Sequence, residues 1–159
     1  AHAIDAGIFL LELQEPTDLS ALLEWEGFAV DGIKDGHLGL GFETVTDALK
    51  LDPLTDNEFE SLIARNALAG GALRSILPLK ADGYFRAHLA PQSGDFEAGF
   101  AIALVLNGSG SVTFANAPAM EITQGDALVI PHVAGNYSIS GANVIVCRPP
   151  LADLARVAI

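Results

Sequence analysis

Phe100-Ala101-Ile102-Ala103-Leu104-Val105-Leu106-Asn107-Gly108-Ser109-Gly110-Ser111-Val112-Thr113-Phe114 decides the fold, because two β-favouring apolar runs flank a cluster of asparagine, glycine and serine. Those small residues are the ones that tight turns select, so the stretch predicts two strands joined by a hairpin at Asn107-Gly108-Ser109-Gly110. Working outward, the same texture of short apolar runs and turn residues predicts strands near 73–79, 84–90, 99–106, 110–115, 119–122, 127–131, 136–140 and 143–148. Gln124-Gly125-Asp126 and Ser140-Gly141-Ala142 punctuate the later ones. About eight strands in about 75 residues predict a mainly β fold, a small antiparallel barrel or jelly roll whose double-sheet closure limits exposed edges.

Upstream the pattern differs. Ile8 to Gln14, and again about 20–28, are apolar-rich around a Pro16-Thr17-Asp18 turn signal, which reads as two strands with a tight connection. The second also carries helix formers from Ser20 to Trp25 behind Asp18 as a cap. Asp31 to Gly41 is glycine-rich and loop-like. A helical region follows, with Val45, Ala48 and Leu49 patterning Thr44 to Leu51, and Asp56-Asn57-Glu58 capping a second pattern through Phe59, Leu62 and Ile63 that ends at Gly70-Gly71. The chain thus divides into residues 1–30, a loop and helical linker over 31–72, and a β-rich segment over 73–159.

Half of the 159 residues are apolar and only 18% are charged, which excludes a disordered chain and requires a substantial core. Twenty acidic against eight basic side chains give a net charge of −12, a field that repels phosphate backbones and anionic membranes. Nucleic acid and membrane surfaces are therefore not the expected partners. A phosphorylated small substrate has to be met by a local cationic pocket or a metal. One cysteine, Cys147, cannot form an internal disulfide, which points to a reducing compartment such as the cytoplasm; its apolar neighbours mark it as a small buried hydrophobe. No apolar run reaches the roughly 18 residues of a membrane span, and no basic segment leads into an apolar stretch at the start.

Among chemistry-bearing residues, His2 directly precedes the apolar run of Ile8 to Gln14 and is a candidate metal ligand. If that run is a strand, Ile8, Leu10, Glu12 and Gln14 share a face, and Glu12 is the best general-base candidate. Asp18 doubles as a turn residue and a candidate for catalysis. His37 reads as a loop residue, Arg86 and His88 as one exposed polar strand face, His132 as a rim residue without companion ligands, and Trp25 as core. No G-x-G-x-x-G follows a strand, so no nucleotide cradle is indicated.

Gly125-Asp126-Ala127-Leu128-Val129-Ile130-Pro131, followed by Gly135 and Asn136, resembles the second signature of cupin barrels, with Val133 where that signature has glycine and Asn136 where it has a metal-binding histidine. The resemblance implies a metal-free C-terminal cupin. His2-Ala3-Ile4, Ala6-Gly7, Leu11-Glu12-Leu13-Gln14, Asp18 and Glu24-Trp25 resemble the metal-histidine segment of type I mannose-6-phosphate isomerases, zinc enzymes built of two cupin barrels. The stretch from His37 through Leu49 is similar to the linker of short bacterial members. That resemblance implies one zinc ion with His2 as a ligand, Glu12 and Asp18 in catalysis, and a sugar phosphate as substrate, isomerised from mannose 6-phosphate to fructose 6-phosphate. It also implies that residues 1–30 are the last strands of a first cupin barrel, whose glutamine, histidine and glutamate ligands lie upstream. On this reading residues 1–159 are the C-terminal part of a longer protein, inactive alone, that pairs with the missing half or another copy. Members carry an arginine four residues after the aspartate matched by Asp18; this sequence has Leu22. The alternative is a cupin sugar-binding or regulatory protein with altered catalysis.

Overall fold

The computed structural model describes residues 4–14, 20–49, 51–62 and 73–151. Contacts group the chain into two compact units, Ala1–Leu54 and Thr55–Ile159. In the first, helix α1 (Gly32–Asp35) starts at Asp31, whose carboxylate accepts from the Lys34 amide at 3.2 Å, and α2 (Phe42–Asp47) follows Gly41. Trp25 stacks on Phe42 with ring centres 5.6 Å apart, and His37 meets the same ring edge-on at 5.2 Å. Gly32 makes this possible, since a β-carbon there collides with the Trp25 ring. His37 also accepts a hydrogen bond from the Gly41 amide through Nδ1, so it is a loop-fixing residue, as its sequence context predicts.

The predicted strands over 8–14 and 20–28 are not formed. Residues 8–14 are irregular, with Ile8 and Phe9 exposed. A strand needs a ladder neighbour, and the backbone bonds found among the described residues here, such as Leu22 N–H to Gly36 O, belong to turns and loops. Asp31 to Gly41, expected to be loop throughout, contains α1.

In the second unit, α3 (Asp56–Leu62) opens with a capping box in which the Glu58 carboxylate accepts from the Thr55 amide at 2.9 Å and Thr55 Oγ1 accepts from the Glu58 amide at 3.3 Å. Among the described residues six strands follow: β1 (Arg74–Ser75), β2 (Arg86–Phe96), β3 (Ala101–Phe114), β4 (Met120–Thr123), β5 (Ala127–Ile130) and β6 (Tyr137–Arg148). All pairings are antiparallel, in the order β1-β2-β6-β3-β4, with β5 also on β3. The mainly β antiparallel class read from the sequence is the class observed, as a sheet that does not close into a full barrel.

The strands are fewer and longer than expected. The predicted pair 99–106 and 110–115 is one strand, β3, and the pair 136–140 and 143–148 is one strand, β6. Asn107-Gly108-Ser109-Gly110 is therefore not a hairpin. It is a bend at which the β3–β6 register shifts between Val105 and Asn107 and again between Gly108 and Ser111, and β2 shifts against β6 between Pro91 and Ser93. The glycines serve close approach: a β-carbon on Gly110 collides with the Ser140 carbonyl oxygen, and one on Gly141 lies 2.8 Å from Ser109 O.

Each long strand consequently swaps the residue parity that faces inward. Ala101, Ala103 and Val105 point into the core before the bend in β3, and Val112 after it; Ile139 does so before the bend in β6, and Val144 and Val146 after it. One apolar cluster draws on both sides of the bends, together with Ile122, Leu128 and Ile130.

Candidate functional site

Parity then places an unusual set of side chains at one end of the inner face. On β2, Arg86 and His88 alternate with Ala90, which is fully buried in the core. Opposite them on β6 stand Arg148, Val146 and Val144 in register, so the two arginines are direct cross-strand neighbours. The sequence reading of Arg86 and His88 as an exposed polar face is thereby corrected: both are half-buried on the side that carries the core.

Arg148 is held by its terminal nitrogen, which donates to Glu97 O at 3.1 Å and Ala98 O at 3.2 Å. Gly99 leaves room for this head, since a β-carbon there overlaps the guanidinium. Asn136 fixes the same loop, its side-chain oxygen accepting from the Ala98 amide at 2.9 Å. Asn136 is thus a loop clamp. Arg86 donates through Nε to Pro149 O at 3.0 Å.

Tyr137, at the start of β6, is 2% exposed and stacks on Phe96 at 5.0 Å between ring centres. Burial pushes its hydroxyl up to about 12, with the Arg148 charge acting in the opposite direction. Burial also lowers Arg86, helped by Arg148 and opposed by Asp82. Three polar atoms are buried with no hydrogen-bond partner among the described residues: His88 Nδ1, Tyr137 hydroxyl and Arg148 Nε. A cavity of about 480 Å³ opens at the ends of β2, β3 and β6, lined among others by Phe96, Phe114 and Tyr137, with Asp95, Glu97 and Asn136.

His88 is held below the ordinary histidine value of 6.5, first by burial and then by the charges of Arg86 and Arg148, while Asp82 pulls the other way. The unfolded chain therefore takes up a proton that the folded chain resists, so stability falls as the pH drops below 6.5 and levels off below the folded-state value. His88→Gln is expected to flatten that part of the acid slope. Urea midpoints of both proteins at several pH values between 7.5 and 5 check this, and parallel curves contradict it.

Of the residues predicted from sequence, His2 and Asp18 lie outside the described residues. Glu12 is exposed in the irregular segment 4–14, so the strand face it was to share with Gln14 is not formed. His132 is exposed in a 3₁₀ turn (His132–Ala134). Among the described residues no three His, Cys, Asp or Glu side chains come together to hold a metal ion, so these residues do not by themselves fit a zinc centre. Cys147 is buried and its thiol is pushed up by burial, in keeping with a packing role. No helix among the described residues is long and apolar enough to cross a membrane.

No protein-family model matches the chain, and no curated protein matches it. Among solved structures, it is similar to the mannose 6-phosphate isomerase of Bacillus subtilis at 15% identity, covering 68% of this chain and 33% of that one with a TM-score of 0.49. It is similar to a cupin-2 domain-containing protein of Shewanella frigidimarina at 14% identity, covering 60% and 93% with a TM-score of 0.38. The polyketide cyclase RemF of Streptomyces resistomycificus is similar at 21% identity, covering 48% and 63% with a TM-score of 0.39.

Proposed function

We propose that the chain is a cupin-type protein working in the aldose–ketose isomerisation of a sugar phosphate, of the mannose 6-phosphate to fructose 6-phosphate type. The observation that carries this reading is order along the sequence: the His2 to Gln14 segment, then the histidine-containing helical stretch, then an antiparallel sheet where a second cupin is expected. In this reading His2 is a zinc ligand, Glu12 moves the proton between adjacent carbons, and Asp18 assists at the same site. Zinc, when bound, supplies the electrophile for the substrate oxygens, and it needs donors additional to those that the described residues bring together. Cys147 as the single cysteine favours a reducing compartment, the cytoplasm.

A second reading, a cupin sugar-binding or regulatory protein, is favoured by Leu22 at the position of the family's arginine. One experiment separates the two. The complete gene is expressed, its zinc content measured, and conversion of mannose 6-phosphate followed. Turnover that drops at least about 100-fold in Glu12→Gln, with zinc retained, supports the isomerase. Stoichiometric zinc without turnover overturns it and leaves the binding role.

A further inference from the structure

We infer that the inner end of the sheet, where Arg86, His88 and Arg148 meet beside the loop of residues 97–99, is a binding site for a small oxyanion, a phosphate or a carboxylate group. The inference is independent of the isomerase reading, since none of its residues belongs to the His2, Glu12 and Asp18 set.

The first ground is charge. Like charges directly opposite on an antiparallel pair repel, yet in a chain with only eight basic residues two arginines face each other across the β2–β6 ladder with an imidazole one alternation away. Among the described residues, Asp82 is the carboxylate that acts on Arg86 and His88 against this accumulation. Asp95 is engaged elsewhere, accepting the Ser138 hydroxyl at 2.7 Å.

The second ground is hydrogen bonding. Buried polar atoms are nearly always partnered. Here Arg148 Nε can only donate, the Tyr137 hydroxyl prefers to donate while neutral, and His88 Nδ1 can carry its ring's proton, yet none has a partner among the described residues. Unpartnered donors beside two arginines that a single carboxylate, Asp82, only partly offsets describe the complement of an oxyanion, whose oxygens accept several bonds at once and which arginine binds through a planar fork. The scaffold is also preorganised for an anion. Gly99 makes space for the Arg148 head, and the Glu97 and Ala98 carbonyls fix it, so little side-chain freedom remains to be lost on binding.

The test uses the full chain. Thermal unfolding is followed while inorganic phosphate, or acetate, is titrated against sodium chloride at matched ionic strength, and the His88 imidazole is watched by NMR, its signals assigned with His88→Gln. The expected result is a saturable rise in Tm and a shift of the His88 signals with phosphate or acetate but not chloride. Arg86→Met and Arg148→Met should each weaken the response at least about tenfold, whereas Lys34→Met should not. Response to phosphate alone assigns a phosphate ligand, and response to both assigns any oxyanion. Equal behaviour in chloride, still His88 signals, or undiminished binding in the arginine variants overturns the site. If Arg148→Met does not fold, Arg86→Met and the wild-type NMR titration decide.

Discussion

Gly110→Ala is expected to destabilise the protein by more than about 3 kcal/mol, a large share of the roughly 5–15 kcal/mol available to a domain. The added methyl lands on the Ser140 carbonyl, a backbone atom that cannot rotate aside, and pushes β3 away from β6 at the bend that both strands share. The neighbouring Asn107–Asn143 hydrogen bond of 2.6 Å and the Ser111–Ser140 contact of 3.2 Å depend on the same approach. Gly125→Asn supplies the comparison. Gly125 has φ +92 but open space around it, so asparagine there meets backbone strain without a clash and should cost clearly less than Gly110→Ala. Urea unfolding of the two variants measures the difference. Similar losses in both contradict the bend.

Val144→Asp is expected to cost more than about 4 kcal/mol and to leave the chain partly unfolded in buffer. Val144 is fully buried, flanked in register by Ala90 on β2 and Val105 on β3, with apolar partners on both sides and no cation directly opposite. A carboxylate there loses its hydration without a partner. Val129→Asp on β5, whose wild-type valine is 69% exposed, should stay within about 0.5 kcal/mol. Near-UV circular dichroism from the stacked Phe96 and Tyr137 rings, lost in the first and kept in the second, reports the outcome.

Much of the β-rich half is legible in the sequence because its elements are locally encoded. Met120–Thr123 and Ala127–Ile130 fall within a residue or two of the predicted strands, and the Gln124-Gly125-Asp126 turn lies between them, with Asp126 accepting from the Thr123 amide at 2.7 Å. The glycines of β3 mislead because a glycine needed for a tight turn and a glycine needed for close backbone approach look the same in sequence. Only the partner strand tells them apart, and Gly141 on β6 is that partner.

The inner arginine and histidine set is hidden for a different reason. On β2, Ala87 and Leu89 are as apolar as any core pair, so period-two reading puts them inside and Arg86 and His88 outside. Ala87 is in fact buried as well, at 1% exposure, as is its β6 partner Cys147. The usable signal is the match between Arg86-x-His88-x-Ala90 and Val144-x-Val146-x-Arg148, two alternations that end in arginine at the same register. Pairing has to be known before that match can be seen. The strands expected at 8–14 and 20–28 rest on apolar runs around a turn signal, and such runs without a ladder partner do not make strands.

If the inner end of the sheet is built to receive an oxyanion, crystals of the full chain grown with selenate, an anion with a strong anomalous signal, will show it most directly. The prediction is an anomalous peak within hydrogen-bond distance of Arg148 Nε and His88 Nδ1, with the Arg86 head turned toward it. Selenate bound elsewhere, or nowhere, with those two nitrogens paired to protein groups instead, contradicts it.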